Sequence, residues 1–183
     1  MPKPKQSPHE KQKIRLIAPS PEMRLQAEDF IAEFQRNGEE YIPGSRGVTR
    51  FAGFAEWLSA MKEMSDGWLP SSTFFAVTLP SSRFAGKIIG VADIRHYLTD
   101  EAYRYGHIGY SVRPSERSKG YGTEILRLAL QKAYELGILE AVVTCKKDNH
   151  ASRKVMRRNG MSKKEETAGE NGEILLIYTK ELQ

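Results

Sequence analysis

The sequence predicts a mixed α/β (α+β) fold, a sheet with helices packed on both faces. Three observations predict it. Apolar residues at helical spacing alternate along the chain with short runs rich in β-branched and aromatic residues. Those runs fall in the order helical portion, strand meander, then β-α-β-α-β. Glycines stand where helical stretches end, at Gly38, Gly137 and Gly160.

Residues 14–19 (IRLIAP) read as a first strand. The stretch from Pro21 to Gly38 reads as a helix, with Ser20 as its cap, Pro21 at the first position and Phe30, Ile31 and Phe34 on its apolar side. Residues 39–50 hold Pro43, Gly44, Ser45 and Gly47, a loop composition. A second helix is expected from Phe51 to Met64, with Phe54, Leu58 and Met61 on one side. Strands are expected over Ser72–Thr78, Lys87–Tyr97 and Tyr105–Val112, with a turn at Ser81–Ser82. The clearest helix runs from Thr123 to Leu136. Glu140–Lys146 follows as a strand, Asn149–Asn159 as a short helix and Ile174–Thr179 as a last strand.

Bulk properties bound the function. At 183 residues the chain fits one domain, expected over residues 14–183 behind a disordered basic tail at 1–13. With one cysteine, Cys145, an intramolecular disulfide is excluded, and four scattered histidines beside it give no zinc spacing, so no metal is expected. A reducing, cytoplasmic location fits. The first residues lack the apolar core of a signal peptide, and no apolar run approaches the roughly 18–20 residues that span a bilayer. The 28 basic against 23 acidic groups give a net charge of +5, which permits an anionic partner without selecting one.

The segment that carries chemistry starts at Ser111-Val112-Arg113 and continues through Arg117-Ser118-Lys119-Gly120-Tyr121-Gly122-Thr123. A strand ends, a glycine-bearing loop follows, and a helix begins at once. That order aims unpaired backbone amides and the positive end of a helix dipole at one spot, a ready anion site. Arg117 and Lys119 add positive charge. The segment is not a Walker loop, because no Lys-Ser/Thr pair follows the second glycine. Nor is it the dinucleotide motif, because Ile125 stands where a third glycine belongs.

The pattern Arg117-x-x-Gly120-x-Gly122 resembles motif A of the GNAT superfamily of N-acetyltransferases. Asn149-x-x-Ser152 resembles the opening of the helix after the next strand, and Asn159-Gly160-Met161 resembles its close. Trp68-Leu69-Pro70, Ile94-Arg95-His96 and His107-Ile108-Gly109-Tyr110 resemble an uncharacterised subgroup of acetyltransferases in that superfamily. The resemblance implies a GNAT-like mixed, mostly antiparallel twisted sheet and acetyl-CoA as cosubstrate. It implies that the strand end Ser111, Val112 and Arg113, the turn Arg117, Ser118, Lys119, Gly120, Tyr121, Gly122 and Thr123, and Asn149 with Ser152 hold coenzyme A. Its pantetheine arm would slot between the Val112 strand and the strand at Val142–Thr144, and a backbone N–H near Val112 would bind the thioester oxygen.

Acetylation of an amine by direct attack in a ternary complex needs a bound thioester, an oxyanion donor and a proton acceptor, with a donor for the departing thiolate optional. Many relatives carry an acid tyrosine where this chain has Met156. Tyr110 and Tyr178 are the alternatives as acid, and His107 and His96 are candidates for base, since histidine titrates near neutrality. Each of these four also fits a structural role on its strand. Asn149 serves as a helix cap in either reading. Arg153 or Lys154 would meet the 3′-phosphate of coenzyme A, or form a solvated face with Arg157 and Arg158. Cys145 reads as a buried small residue rather than a nucleophile. Glu39, Glu40 and Tyr41 lie in a loop that, as the resemblance implies, borders the acceptor; the acidic pair would attract a cationic amine there, or is a surface charge pair. The acceptor is a small-molecule or peptide amine. No membrane partner is expected, nucleic acid is disfavoured, and a homodimer is open. The alternative is a non-catalytic coenzyme A-binding regulatory module of the same fold.

Overall fold

A computed structural model describes residues 13–63, 69–79 and 86–183. Most of the expected N-terminal tail, Trp68, and the turn at Ser81–Ser82 lie outside the described residues.

The chain runs β1 (Ile14–Ile17), α1 (Arg24–Arg36), α2 (Phe54–Glu63), β2 (Ser71–Thr78), β3 (Ile88–Arg95), α3 (Asp100–Tyr103) and β4 (Ile108–Val112). It continues with α4 (Tyr121–Glu135), β5 (Glu140–Lys146), α5 (His150–Arg158), β6 (Ser162–Ala168) and β7 (Ile174–Glu181). The strands form two antiparallel sheets, β1-β2-β3-β4 and β5-β7-β6. They meet at a bridge between Gly106 and Val143.

Strand β3 is the spine. Its residues from Ile88 to Ile94 are all buried, because helices cover both sides. On one face Phe75, Val77, Ile88 and Val91 pack against α1 and α2 through Phe30, Phe34, Phe54 and Trp57. Phe75 is the hub there, with ring centroids 6.0 Å from Phe30, 6.1 Å from Phe54 and 6.0 Å from Trp57. On the other face Ala76, Ala92, Ile94 and Ile108 meet Ile125, Leu126, Ala129, Leu130 and Ala133 of α4. Those positions of α4 recur at three- and four-residue steps, which is why one stripe of the helix is apolar. Each large side chain fully buried there contributes about 1.5–3 kcal/mol.

Three expectations change at their ends. The helix after Ser20 opens as a 3-10 turn over Pro21–Met23, and Ser20 makes no side-chain capping bond to it. Helix α2 starts at Phe54, not Phe51. The strand expected from Tyr105 starts at Ile108, because Gly106 takes a left-handed φ of 71° that breaks extension. Strand β6 carries Lys163-Lys164-Glu165-Glu166 at a sheet edge with both faces in water, so it has no apolar alternation to read. Helix α3 is a single turn between β3 and β4, capped by Thr99.

Candidate functional site

Backbone geometry builds the site first. Arg113 N donates to Ile89 O at 2.8 Å, and between β3 and β4 Val91 faces Ser111 and Asp93 faces Gly109. In an antiparallel ladder the direction of the backbone groups alternates from residue to residue. Gly109 and Ser111 therefore spend theirs on β3, and Tyr110 and Val112 turn theirs to the opposite edge. On β5 the same bookkeeping, fixed by Lys147 N to Ile174 O and Leu182 N to Leu139 O, leaves Val142 and Thr144 facing β4. The two strands join at one end, where His107 N donates to Val142 O at 2.7 Å. Beyond it no ladder connects β4 to β5 among the described residues. The result is a wedge whose walls carry backbone groups outside any ladder, at Tyr110 and Val112 on one side and Thr144 on the other.

The turn into α4 closes the wide end. Ser118 (φ 62°) and Gly120 (φ 84°) are both left-handed. Among the described residues the amides of Ser118, Lys119, Gly120, Gly122 and Thr123 find no backbone acceptor. They gather at the N-terminus of a 15-residue helix, where the dipole favours negative charge. Asn149 caps α5 from below, with Oδ1 accepting from Ser152 N at 3.0 Å. Tyr110 and Ser152 span the wedge, hydroxyl to hydroxyl at 3.0 Å. Burial pushes the Tyr110 phenol up to about 12, so it keeps its proton through neutral pH. Deeper in, Thr144 Oγ1 is buried without a protein partner.

These residues fit coenzyme A. The amide cluster suits a pyrophosphate, and the facing edges of β4 and β5 suit the amides of an extended arm. The orphaned Thr144 hydroxyl sits on a wall of that slot.

The remaining candidates are placed as follows. Arg113 is buried; its guanidinium pairs with Asp29, with Glu33 at 2.5 Å and with Ile88 O at 3.1 Å. Its amide is also spent, so the structure directs both donors of Arg113 away from the turn. Burial pushes the Glu33 carboxyl up, but the Arg113 guanidinium and the Ser115 N–H outweigh it and hold the group at about 2. Arg117 bonds Glu39 at 2.7 Å and Val112 O at 3.2 Å. Lys119 pairs with Glu116 at 3.0 Å. Ser111 Oγ donates to Pro43 O at 2.7 Å, which lays the 39–47 loop on β4. There Gly44 stands so close to the β4 backbone that an added Cβ would lie 2.4 Å from Gly109 O. His107 Nδ1 accepts from Val142 N at 3.0 Å, and burial lowers its pKa. The neutral ring therefore carries its proton on Nε2. His96 Nε2 lies 2.8 Å from Ser72 Oγ. Tyr178 is 3 % exposed in the core, and Met156 is fully buried there. Cys145 is buried, and burial raises its thiol pKa. Arg153 donates to Lys147 O at 3.2 Å.

The brace from Asp29 and Glu33 to Arg113 has no signature in the sequence, because i to i+4 spacing on an exposed helix face says nothing of a partner 80 residues on. Asp93 is the other surprise. It is the ionisable residue in the buried stretch Ile88–Ile94 of β3, and it accepts from Ser71 Oγ at 2.8 Å and Thr73 Oγ1 at 2.7 Å.

A sheet split over a wedge, with a helix start at its mouth whose amides find no backbone acceptor among the described residues, suits an acyl-coenzyme A. The comparisons agree. A family model described as the acetyltransferase (GNAT) domain matches residues 15–162. The chain belongs to the GNAT family, and it is an acetyl-CoA-dependent N-acetyltransferase. Among solved structures it is similar to the microcin C7 self-immunity acetyltransferase MccE, in complex with acetyl-CoA and AMP, at 19% identity and a TM-score of 0.65 over 93% of each chain. It is similar to the ribosomal-protein-S5-alanine acetyltransferase of Vibrio fischeri at 18% identity and 0.66, covering 96% of this chain and 95% of that one. RimL, a ribosomal L7/L12 α-N-protein acetyltransferase in complex with coenzyme A, matches at 14% and 0.66 over 96% and 97%. At these identities the likeness carries the fold.

Proposed function

We propose that the chain, as one domain over residues 14–183, transfers the acetyl group to a primary amine, of a small molecule or a peptide, by direct attack in a ternary complex. The observation that carries this reading is the wedge itself, a helix-start turn opening on the backbone groups of Tyr110, Val112 and Thr144 that no ladder uses. Acetyl-CoA supplies the thioester carbon that the amine nitrogen attacks. The amides of Ser118 to Gly120 and of Gly122 and Thr123 hold the pyrophosphate, and Tyr121 sits in the same turn. Tyr110 N–H and Val112 N–H, on the open edge of β4, are the donors for the thioester oxygen. Ser152 steadies the Tyr110 hydroxyl, which keeps its proton at neutral pH and hands it to the departing sulfur. Tyr110 thus takes the place of the tyrosine that Met156 replaces.

Of the two histidines, His107 is tied by Nδ1 to Val142 and acts as a pin that sets the angle of the wedge. His96 is the freer base, since its ring contact is a hydroxyl that donates or accepts. Lys119 and Arg117 contribute charge at the turn. The chain is assigned to the cytoplasm, where its one thiol stays reduced. No helix among the described residues is long and apolar enough to cross a membrane. Self-association as a homodimer belongs to the same proposal and is read by light scattering.

Thermal unfolding with and without about 1 mM acetyl-CoA tests the reading, with NADH and ATP as controls. A ligand at about 100 times its Kd adds about 2.7 kcal/mol, which raises Tm by about 2–4 °C per kcal/mol at this size. A rise with acetyl-CoA alone supports the assignment, and an amine panel scored by thiol release then identifies the acceptor. No rise overturns it.

A further inference from the structure

Arg117 stands where two parts of the site meet. Its Nε donates to Val112 O at 3.2 Å, its Nη2 bonds Glu39 Oε2 at 2.7 Å, and its guanidinium lies 5.5 Å from the Phe34 ring centroid. Val112 O belongs to the open edge of β4, so the arginine lies on a carbonyl that an extended amide chain in the wedge would use. Glu39 keeps it there. The Arg117 guanidinium holds the Glu39 carboxyl below the usual carboxylate range, and Asn37 Nδ2 fixes the other oxygen at 2.6 Å. Glu39 also begins the loop that crosses β4, where Pro43 O takes the Ser111 hydroxyl and Ser45 O takes Trp57 Nε1 at 3.0 Å.

We propose that Glu39 is a positioning residue that acts through Arg117: it parks the guanidinium on Val112 until acetyl-CoA arrives, and its release passes the event to the 39–47 loop. The proposal rests on the acetyl-CoA assignment above. A phosphate offers arginine a bidentate partner of higher charge than one carboxylate. A pyrophosphate at the turn therefore takes Arg117 from Glu39. Val112 O is then open to the arm, and Glu39 no longer tethers the start of the loop. The loop lies on β4 through Pro43 O, and under the assignment above it borders the acceptor, so occupancy of the turn is felt where the amine would enter.

The test uses the full chain in a Trp68→Phe background, which leaves Trp57, bonded to the loop at Ser45 O, as the fluorescent reporter. Acetyl-CoA binding is measured by calorimetry and by Trp57 emission, before and after Glu39→Ala. An exposed ion pair that must be broken on binding weakens affinity by about two- to fivefold. The expected result is a Kd tighter by that factor in Glu39→Ala, with the ligand-induced change in Trp57 emission reduced or lost. A Kd that is unchanged or weaker, or a wild-type emission that does not respond to bound acetyl-CoA, overturns the proposal. Calorimetry that finds no binding to the wild-type chain overturns the acetyl-CoA assignment itself, and so separates the two failures.

Discussion

Gly120→Glu is the sharpest perturbation of the turn. Gly120 sits at φ 84° and ψ 1°, immediately before α4. Any side chain there takes a left-handed conformation, at about 1–2 kcal/mol for an L-residue. That strain lowers stability and is shared by Gly120→Ala. The carboxylate adds a second, separable effect. Placed about 4 Å from a phosphate at an effective dielectric of 20, it is repelled by about 4 kcal/mol per unit charge. Tenfold in Kd corresponds to about 1.4 kcal/mol, so one such repulsion already costs nearly a thousandfold. The assay is calorimetric titration of acetyl-CoA into wild type, Gly120→Ala and Gly120→Glu, each first checked for a folded thermal transition. Gly120→Ala is expected to melt earlier and still bind. Gly120→Glu is expected to melt at a similar temperature and show no measurable binding. If a folded Gly120→Glu bound acetyl-CoA with near wild-type affinity, the pyrophosphate would not lie at this turn.

Three more outcomes follow from the geometry. Arg113→Ala removes the buried guanidinium that Asp29 and Glu33 share, and is expected to destabilise by about 1.5–3 kcal/mol, the scale of lost hydrogen bonds to charged groups, read by urea denaturation. The Glu33 carboxyl has a folded pKa depressed from 4.5 to about 2. Its stabilising contribution is therefore complete above about pH 4.5 and fades as the pH falls toward 2. After allowance for its partly solvated edge it amounts to about 1–2 kcal/mol, and an acid titration of Tm in Glu33→Gln should lack this component. Tyr110→Phe removes the proposed proton donor and the bond to Ser152. It is expected to lower kcat about a hundredfold and to leave the acetyl-CoA Kd within a few fold, and equal turnover in the two proteins would return Tyr110 to a structural role.

The elements were legible wherever one face was apolar. The stripe Ile125, Leu126, Ala129, Leu130 and Ala133 announces α4, and the turn before it is readable because a left-handed residue ahead of a helix calls for glycine, here Gly120. β6 was not legible, since Lys163 to Glu166 have water on both faces and no periodicity survives. Reading β4 from Tyr105 overran by the residues that Gly106 bends away, because a left-handed glycine inside a β-rich run looks like any other. At the site, spacing located the glycine turn before α4 but not the partners of its charges. Arg113, Arg117 and Lys119 read alike in sequence. Only packing separates the buried brace to Glu33, the tether to Glu39 and the exposed pair with Glu116. His107 shows the same limit, since its alternation with Gly109 and Ser111 gives no hint of the Val142 amide that claims its Nδ1.

The bridge between the sheets gives β4 a double character. By position it is interior, with β3 on one side and β5 on the other; by hydrogen bonding one flank behaves as a rim. Its Tyr110 and Val112 amides should trade hydrogen for deuterium faster than the alternating Gly109 and Ser111 amides, an odd–even pattern that a fully laddered inner strand would not show. A naked rim usually invites another strand to zip on. Here the Tyr110 and Ser152 hydroxyls meet across the opening, so a strand that zipped on would first have to part them.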